Sequence, residues 1–156
     1  MSEGYEEILA GESYLRPPPD ARHERVCARL HSALALALNG SLTTRLLPPR
    51  TIVELCPGTL IRPDLALVTC ANRRLWLAGE VVGANDHGVD TVTKKELYEQ
   101  TAIPRLWMVD PRYDNVEVYQ GSPYGLSLRH ILAGREALSE ALLPGLRLTI
   151  AELFGD

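Results

Sequence analysis

Between the Pro17-Pro18-Pro19 run and Asn39-Gly40, apolar residues recur every four positions: Val26, Leu30, Leu34 and Leu38 fall on one side of a helix. Asp20 is placed to cap that helix and Asn39-Gly40 to stop it, so the pattern predicts an amphipathic helix over 20–40. Beyond Pro48-Pro49 the texture changes to short β-favouring runs at 51–56, 60–68 and 75–82, separated by Pro57-Gly58 and Asn72-Arg73-Arg74. These predict three consecutive strands in a meander. Helical texture returns over 90–102, with Asp90 or Thr93 as the cap and Glu96 in capping-box position after Thr93, and Pro104 ends it. Residues 105–110 read as a buried strand closed by Pro111, and 116–119 alternate as a half-exposed strand. The tail adds a strand-like stretch at 126–130, a segment of undefined type at 136–143, an alternating run at 146–150 and a short helix around Glu152. Helix, three strands, helix, two strands is the order of an α/β (α+β) sandwich around a mixed sheet.

Composition narrows this picture without changing it. A chain of 156 residues with 46% hydrophobic and 23% charged residues is that of an ordinary soluble domain, and we expect a single domain over 1–156. The longest apolar run, near 34–38, falls far short of the roughly 20 residues of a membrane span, and the acidic start Glu3-Gly4-Tyr5-Glu6-Glu7 is unlike a secretion signal. Cys27, Cys56 and Cys70 are odd in number and form no CxxC pair, as expected for reduced thiols in the cytoplasm. The net charge of −4 argues against a binder that holds nucleic acid by charge alone. It does not exclude a nuclease, because carboxylates that hold a metal ion count as negative here.

Most catalytic patterns are absent: there is no GxSxG elbow, GxxxxGK[ST] loop, GxGxxG fingerprint or HExxH helix. His23 and His31 lie two helical turns apart, too far to share a metal directly. What remains is a carboxylate on each of two neighbouring predicted strands. Asp64 leads the apolar run Leu65-Ala66-Leu67-Val68, and Glu80 interrupts Leu75-Trp76-Leu77-Ala78-Gly79-Glu80-Val81-Val82. A carboxylate in such a strand needs a cation, a hydrogen-bond cluster or a metal. If the strands pair antiparallel, both groups can face one pole of the sheet, where oxygen ligands with open water positions suit Mg²⁺, and Lys94 can point its ammonium there. The purely structural reading pairs the carboxylates with Arg62 or another cation and leaves Lys94 as a solvated helix residue beside Asp90 at i,i+4. In that reading Lys95 is a surface residue, Asp86 and His87 are polar loop, and Trp76, Trp107 and Tyr98 are core or interface aromatics.

Pro63-Asp64, Glu80-Val81-Val82, Asp90-x-x-x-Lys94-Lys95-Glu96-Leu97-Tyr98 and Ile103-Pro104-x-Leu106-Trp107-Met108-Val109-Asp110-Pro111, in this order and spacing, resemble the Uma-two family of restriction endonucleases in the PD-(D/E)xK nuclease superfamily. Leu9-Ala10-Gly11-Glu12, the proline run, His23 opening a helix, Leu143-Pro144-Gly145-Leu146 and Glu152-Leu153-Phe154 extend the likeness over nearly the whole chain. Two positions depart from it. Val82 stands where the plain (D/E)xK motif has lysine, which in this family is read as having moved to the following helix, at Lys94. The loop Gly83-Ala84-Asn85-Asp86-His87-Gly88 replaces a Ser-Pro-Ser type turn.

The resemblance implies a restriction-endonuclease-like fold, with a mixed β-sheet flanked by helices, the core order helix, three strands, helix, strand, and additional C-terminal strands. It implies an endonuclease that cleaves DNA by metal-activated water, leaving 5′-phosphate and 3′-hydroxyl ends. Asp64, Glu80 and the Val81 carbonyl would hold Mg²⁺, with Mn²⁺ as substitute, and Lys94 would complete the catalytic set of Asp64, Glu80 and Lys94. Glu12, His23 and Asp90 are accessory candidates. A homodimer on DNA is expected, with 105–110 and 116–119 offering apolar surface. The alternative is a nuclease-like fold with little turnover that serves as a DNA-binding or protein-interaction module.

Overall fold

The computed structural model describes residues 3–155; Met1, Ser2 and Asp156, inside the expected 1–156 unit, lie outside the described residues. A β-hairpin opens the chain, β1 (Tyr5–Leu9) with β2 (Glu12–Arg16). Helix α1 (Ala21–Ala37) follows the three prolines; the Asp20 side chain accepts a hydrogen bond from the His23 amide at 2.8 Å, and Val26, Leu30 and Leu34 are buried as the four-residue spacing predicts. Gly40, at φ +78°, stops it.

The expected three-strand meander is corrected. The run at 60–68 breaks at Arg62-Pro63-Asp64 into β5 (Thr59–Ile61) and β6 (Leu65–Thr69), because Pro63 lacks the N–H to continue a ladder. β4 (Val53–Cys56) and β5 join β1 and β2 in a four-stranded sheet of order β2-β1-β5-β4. β6 instead pairs antiparallel with β7 (Leu75–Val81) in a six-stranded sheet. The other members of that sheet are β3 (Thr44–Leu46), β8 (Arg105–Asp110), β9 (Asn115–Ser122) and β10 (Gly125–Ala133), in the order β10-β9-β8-β7-β6-β3. Among the described residues only β7 and β8 are parallel, joined by a crossover through a wide π-type turn (Val89–Lys94) and α2 (Lys95–Gln100). The stretch at 136–143 resolves into β11 (Ala137–Glu140), paired with β12 (Leu143–Thr149), and α3 (Ile150–Phe154) closes the chain.

Alternation along β8 separates two cores. Trp107 and Val109 pack with Leu30, Leu34 and Leu153 on the α1 face, and Leu106 and Met108 pack with Leu9, Ile61, Leu97 and Tyr98 on the α2 face. β8 therefore lies inside the sheet, buried from Leu106 to Asp110, and Val116, Val118 and Tyr119 of its neighbour β9 are buried too, so the expectation that 105–110 and 116–119 supply a dimer surface is overturned. The capping expectation for the second helix is corrected too. The chain enters α2 through the π-type turn, so neither Asp90 nor Thr93 caps it.

Gly121 marks a close approach: its N–H donates to the Pro104 carbonyl at 2.9 Å, and a Cβ there would lie 2.1 Å from the Ile103 carbonyl oxygen. Gly121→Ala should destabilise the protein by about 1–3 kcal/mol in urea melts. Gly88→Ala, which meets nothing within 4 Å, should be close to neutral in the same measurement.

Candidate active site

The parallel crossover and the proline break meet at one end of β6 and β7. Asp64 is the last residue before β6, and its Oδ2 accepts from the Val81 N–H at 2.8 Å, which fixes the carboxylate against the end of the neighbouring strand. Arg50 donates to the other oxygen, Oδ1, at 3.1 Å and to Glu24 at 2.8 Å. The His31 ring holds the Asp64 backbone carbonyl at 2.6 Å. From the first turn of α1, His23 brings Nε2 to 3.0 Å from the Val81 carbonyl oxygen and 3.5 Å from Asp64 Oδ2.

Glu80 projects from the opposite face of β7, the face of Ala78 and Val82, toward α2. Its Oε2 is 2.8 Å from Lys94 Nζ and accepts from the Tyr98 hydroxyl at 2.5 Å. The wide turn turns both Asp90 and Lys94 inward. Lys94 has a fully buried side chain between two carboxylates, Glu80 and Glu7, the latter at 2.7 Å. The surface reading of Lys94, paired with Asp90, is thereby excluded. Asp90 instead accepts from Arg16 at 3.0 Å and from the Gly83 N–H at 3.2 Å. Arg16 also binds Glu7 and Asp86, each at 2.6 Å, so Asp86 is an anchored residue rather than polar loop.

Asp64, Glu80, Val81, Lys94, His23 and Asp90 are thus brought to one pole. Glu12 is not: it is exposed at the turn end of the β1–β2 hairpin, and Glu7 on β1 is the glutamate that reaches the lysine. Sequence reasoning missed Glu7, Arg16, Arg50 and the hydroxyl of Tyr98. Lys95, partly covered, lies over the Tyr119 ring at 4.5 Å.

The pole is short of positive charge. Glu7, Asp64, Glu80 and Asp90 are buried there with Arg16 and Lys94. Burial pushes the Glu80 carboxyl up to about 8, with Lys94 pulling down and the charges of Asp90, Asp64 and Glu7 adding to the rise. Asp64 is the reverse case: burial works against its charge, but His23, Lys94 and the Val81 N–H together hold its pKa below the ordinary value. His23 gains from the same pairing, since Asp64 outweighs the burial that opposes its protonation and raises its pKa.

Among the described residues no three His, Cys, Asp or Glu side chains gather as a metal cage. A divalent ion at this pole therefore needs a backbone ligand, and the Val81 carbonyl lies beside Asp64. The donor set fits such an ion: hard oxygens, a surplus of carboxylate, and an imidazole N–H now standing between a carbonyl and a carboxylate. A cleft of about 220 Å³ reaches this point, lined by His23, Val81, Gly83, Asp86, Arg22 and Arg112 among others.

The structure resembles the crystal structure titled as "a putative nuclease belonging to DUF820" from Anabaena variabilis, with a TM-score of 0.76 and 14% sequence identity over 96% of this chain and 89% of that one. The protein therefore has a restriction-endonuclease-like fold. The chain belongs to the Uma2 family, whose model, described as "Putative restriction endonuclease", matches residues 4–151. No curated protein matches it.

The raised pKa of Glu80 carries a testable sign. Between its ordinary 4.5 and about 8 the folded chain holds a proton that the unfolded chain has lost, so folding stability must fall as pH rises through this window. His23, also raised, loses its contribution in the same direction above its ordinary 6.5, whereas Asp64, lowered, matters only below 3.8. Urea melts in EDTA should show higher stability at pH 5 than at pH 8, and Glu80→Gln should reduce that difference.

Proposed function

We propose that the protein is a Mg²⁺-dependent endonuclease that hydrolyses DNA phosphodiester bonds, with Mn²⁺ as substitute ion. The observation that carries this reading is the buried ammonium of Lys94 at 2.8 Å from Glu80, delivered by the crossover in place of a strand lysine. Asp64, Glu80 and the Val81 carbonyl would hold the ion; Lys94 and Tyr98 both engage Oε2 of Glu80, so Oε1 is the oxygen Glu80 would offer. When bound, a divalent ion acidifies water and offsets charge on the scissile phosphate. Arg50 and the Val81 N–H hold the Asp64 carboxylate in place. Lys94, positioned by Glu7, would orient the attacking water and offset charge that grows on the phosphoryl oxygens. Arg22 and Arg112, on the wall of the cleft, would meet the phosphodiester backbone.

The reading extends to the whole chain as one domain, to residence in the cytoplasm and to a homodimer. Free Cys70, which is exposed, suits a reducing compartment. No described helix is long and apolar enough to cross a membrane. Pairing by two-fold symmetry suits a small domain on duplex DNA, with its surface elsewhere than 105–110 and 116–119. Light scattering at micromolar concentration should then give twice the monomer mass of 17.2 kDa.

One observation favours a second reading, a DNA-binding or protein-interaction module with little turnover: the Lys94 ammonium is already engaged by the carboxyl groups of Glu7 and Glu80. Incubation with several DNA forms separates the two. Cleavage with Mg²⁺ or Mn²⁺ that stops in EDTA supports the nuclease, and no cleavage of any form supports the module. In an active protein, Lys94→Ala should cut the rate by two or more orders of magnitude, about 3 kcal/mol in the barrier, and leave metal affinity nearly intact.

A further inference from the structure

His23 occupies an unusual place for a histidine with only a structural role. It is 8% exposed, its Nδ1 is buried without a hydrogen-bond partner, and its Nε2 faces two atoms assigned above to the ion, the Val81 carbonyl oxygen at 3.0 Å and Asp64 Oδ2 at 3.5 Å. Adjacent ligands on one octahedral ion, each bonded at about 2.1 Å, lie about 3.0 Å apart. The first of these distances matches that spacing and the second exceeds it by a small side-chain shift.

We propose that His23 Nε2 is itself a ligand of the ion, beside Asp64, Glu80 and the Val81 carbonyl, with the open positions facing the cleft that His23 and Val81 line. This assignment rests on the nuclease reading and adds a nitrogen to an otherwise all-oxygen site. To ligate through Nε2 the ring carries its hydrogen on Nδ1, and the nearest carboxylate to Nδ1 is Glu24 Oε1 at 3.8 Å, itself held by Arg50 at 2.8 Å. A carboxylate behind the non-ligating nitrogen is the usual way in which a metal-binding imidazole is oriented. Helix α1 supplies the rigidity: the Asp20 cap fixes the backbone of His23, and Val26 and Cys27 pack the same turn into the core.

An imidazole ligand changes which ion the site prefers. Nitrogen ligation suits Mn²⁺ and Co²⁺ better than Mg²⁺, which favours oxygen and water. The chain should therefore bind Mn²⁺ more tightly than Mg²⁺, and His23 should be the cause.

The test is calorimetric titration with Mn²⁺ and with Mg²⁺, together with pulsed electron paramagnetic resonance of the Mn²⁺-loaded protein, which detects nitrogen bonded to the ion. Wild type should show a nitrogen coupling. His23→Gln, which keeps an amide donor for the Val81 carbonyl, should lose that coupling and bind Mn²⁺ 10–100-fold more weakly, with a smaller loss for Mg²⁺. Absence of nitrogen coupling in wild type overturns the assignment without any variant, and so does wild-type Mn²⁺ affinity in His23→Gln. If Mn²⁺ binding is lost in Asp64→Asn but kept in His23→Gln, the His23 assignment fails and the metal reading stands. If wild type binds neither ion, both fail.

Discussion

The structure depends on how one buried ammonium is held. Lys94 has no exposed surface and lies between Glu7 of the first strand and Glu80 of the central strand. Desolvating three such charges is recovered only if all of them stay paired, and removal of one partner from a buried pair typically costs about 3–5 kcal/mol. The N-terminal hairpin, the six-stranded sheet and the crossover thus become one unit, because each supplies a member. β1 touches β5 through a single paired position, Ile8 opposite Leu60, so backbone pairing alone fastens the hairpin weakly. Its docking rests on Leu9 in the α2-side core and on Glu7, which also accepts from the Arg62 N–H at 2.7 Å.

The same logic orders the loop at 83–88. Arg16 at the end of the hairpin grips Glu7, Asp86 and Asp90 together, and Asp90 takes the Gly83 N–H. The segment is thereby tied to the buried network at Gly83 and Asp86, and it forms one wall of the cleft.

Much of this was legible in the sequence because it follows from period and punctuation. The four-residue spacing of Val26, Leu30 and Leu34 and the Asp20 cap predict α1, and a charge inside an apolar strand flags Glu80. The parts that were not legible are those set by pairing between distant segments. Nothing in 51–68 tells which sheet each short strand joins; Pro63 marks a break, but only the packing of β5 on β1 sends the two halves apart. Glu7 carried a signal that went unread: in Tyr5-Glu6-Glu7-Ile8-Leu9 the period of two places Glu7 on the face of buried Leu9. Two adjacent glutamates at the start of a chain resemble a solvated tail, and Glu12 drew attention for its motif although it lies at the exposed turn. Tyr98, which the sequence leaves to core or interface, lies in the core, and its hydroxyl reaches Glu80 because the helix register sets it one turn beyond Lys94.

That Glu80 meets a lysine at position 94, with a valine at position 82, has a geometric basis. Residues 80 and 82 share a face of β7, so a lysine at 82 would have to enter the core that Val82 now fills with Leu106, Met108 and Tyr98. The crossover that makes β7 and β8 parallel must run over that same face, since a parallel connection has to return across the sheet. Its first turn therefore passes above Glu80. Widening that turn to π-type brings residues 90 and 94 inward together. The carboxylate then meets an ammonium from the layer above rather than from its own strand, and the strand end is freed to present the Val81 carbonyl beside Asp64. The contact between the acid and the lysine, at 2.8 Å, is thus made between layers, and no spacing along β7 alone reports it.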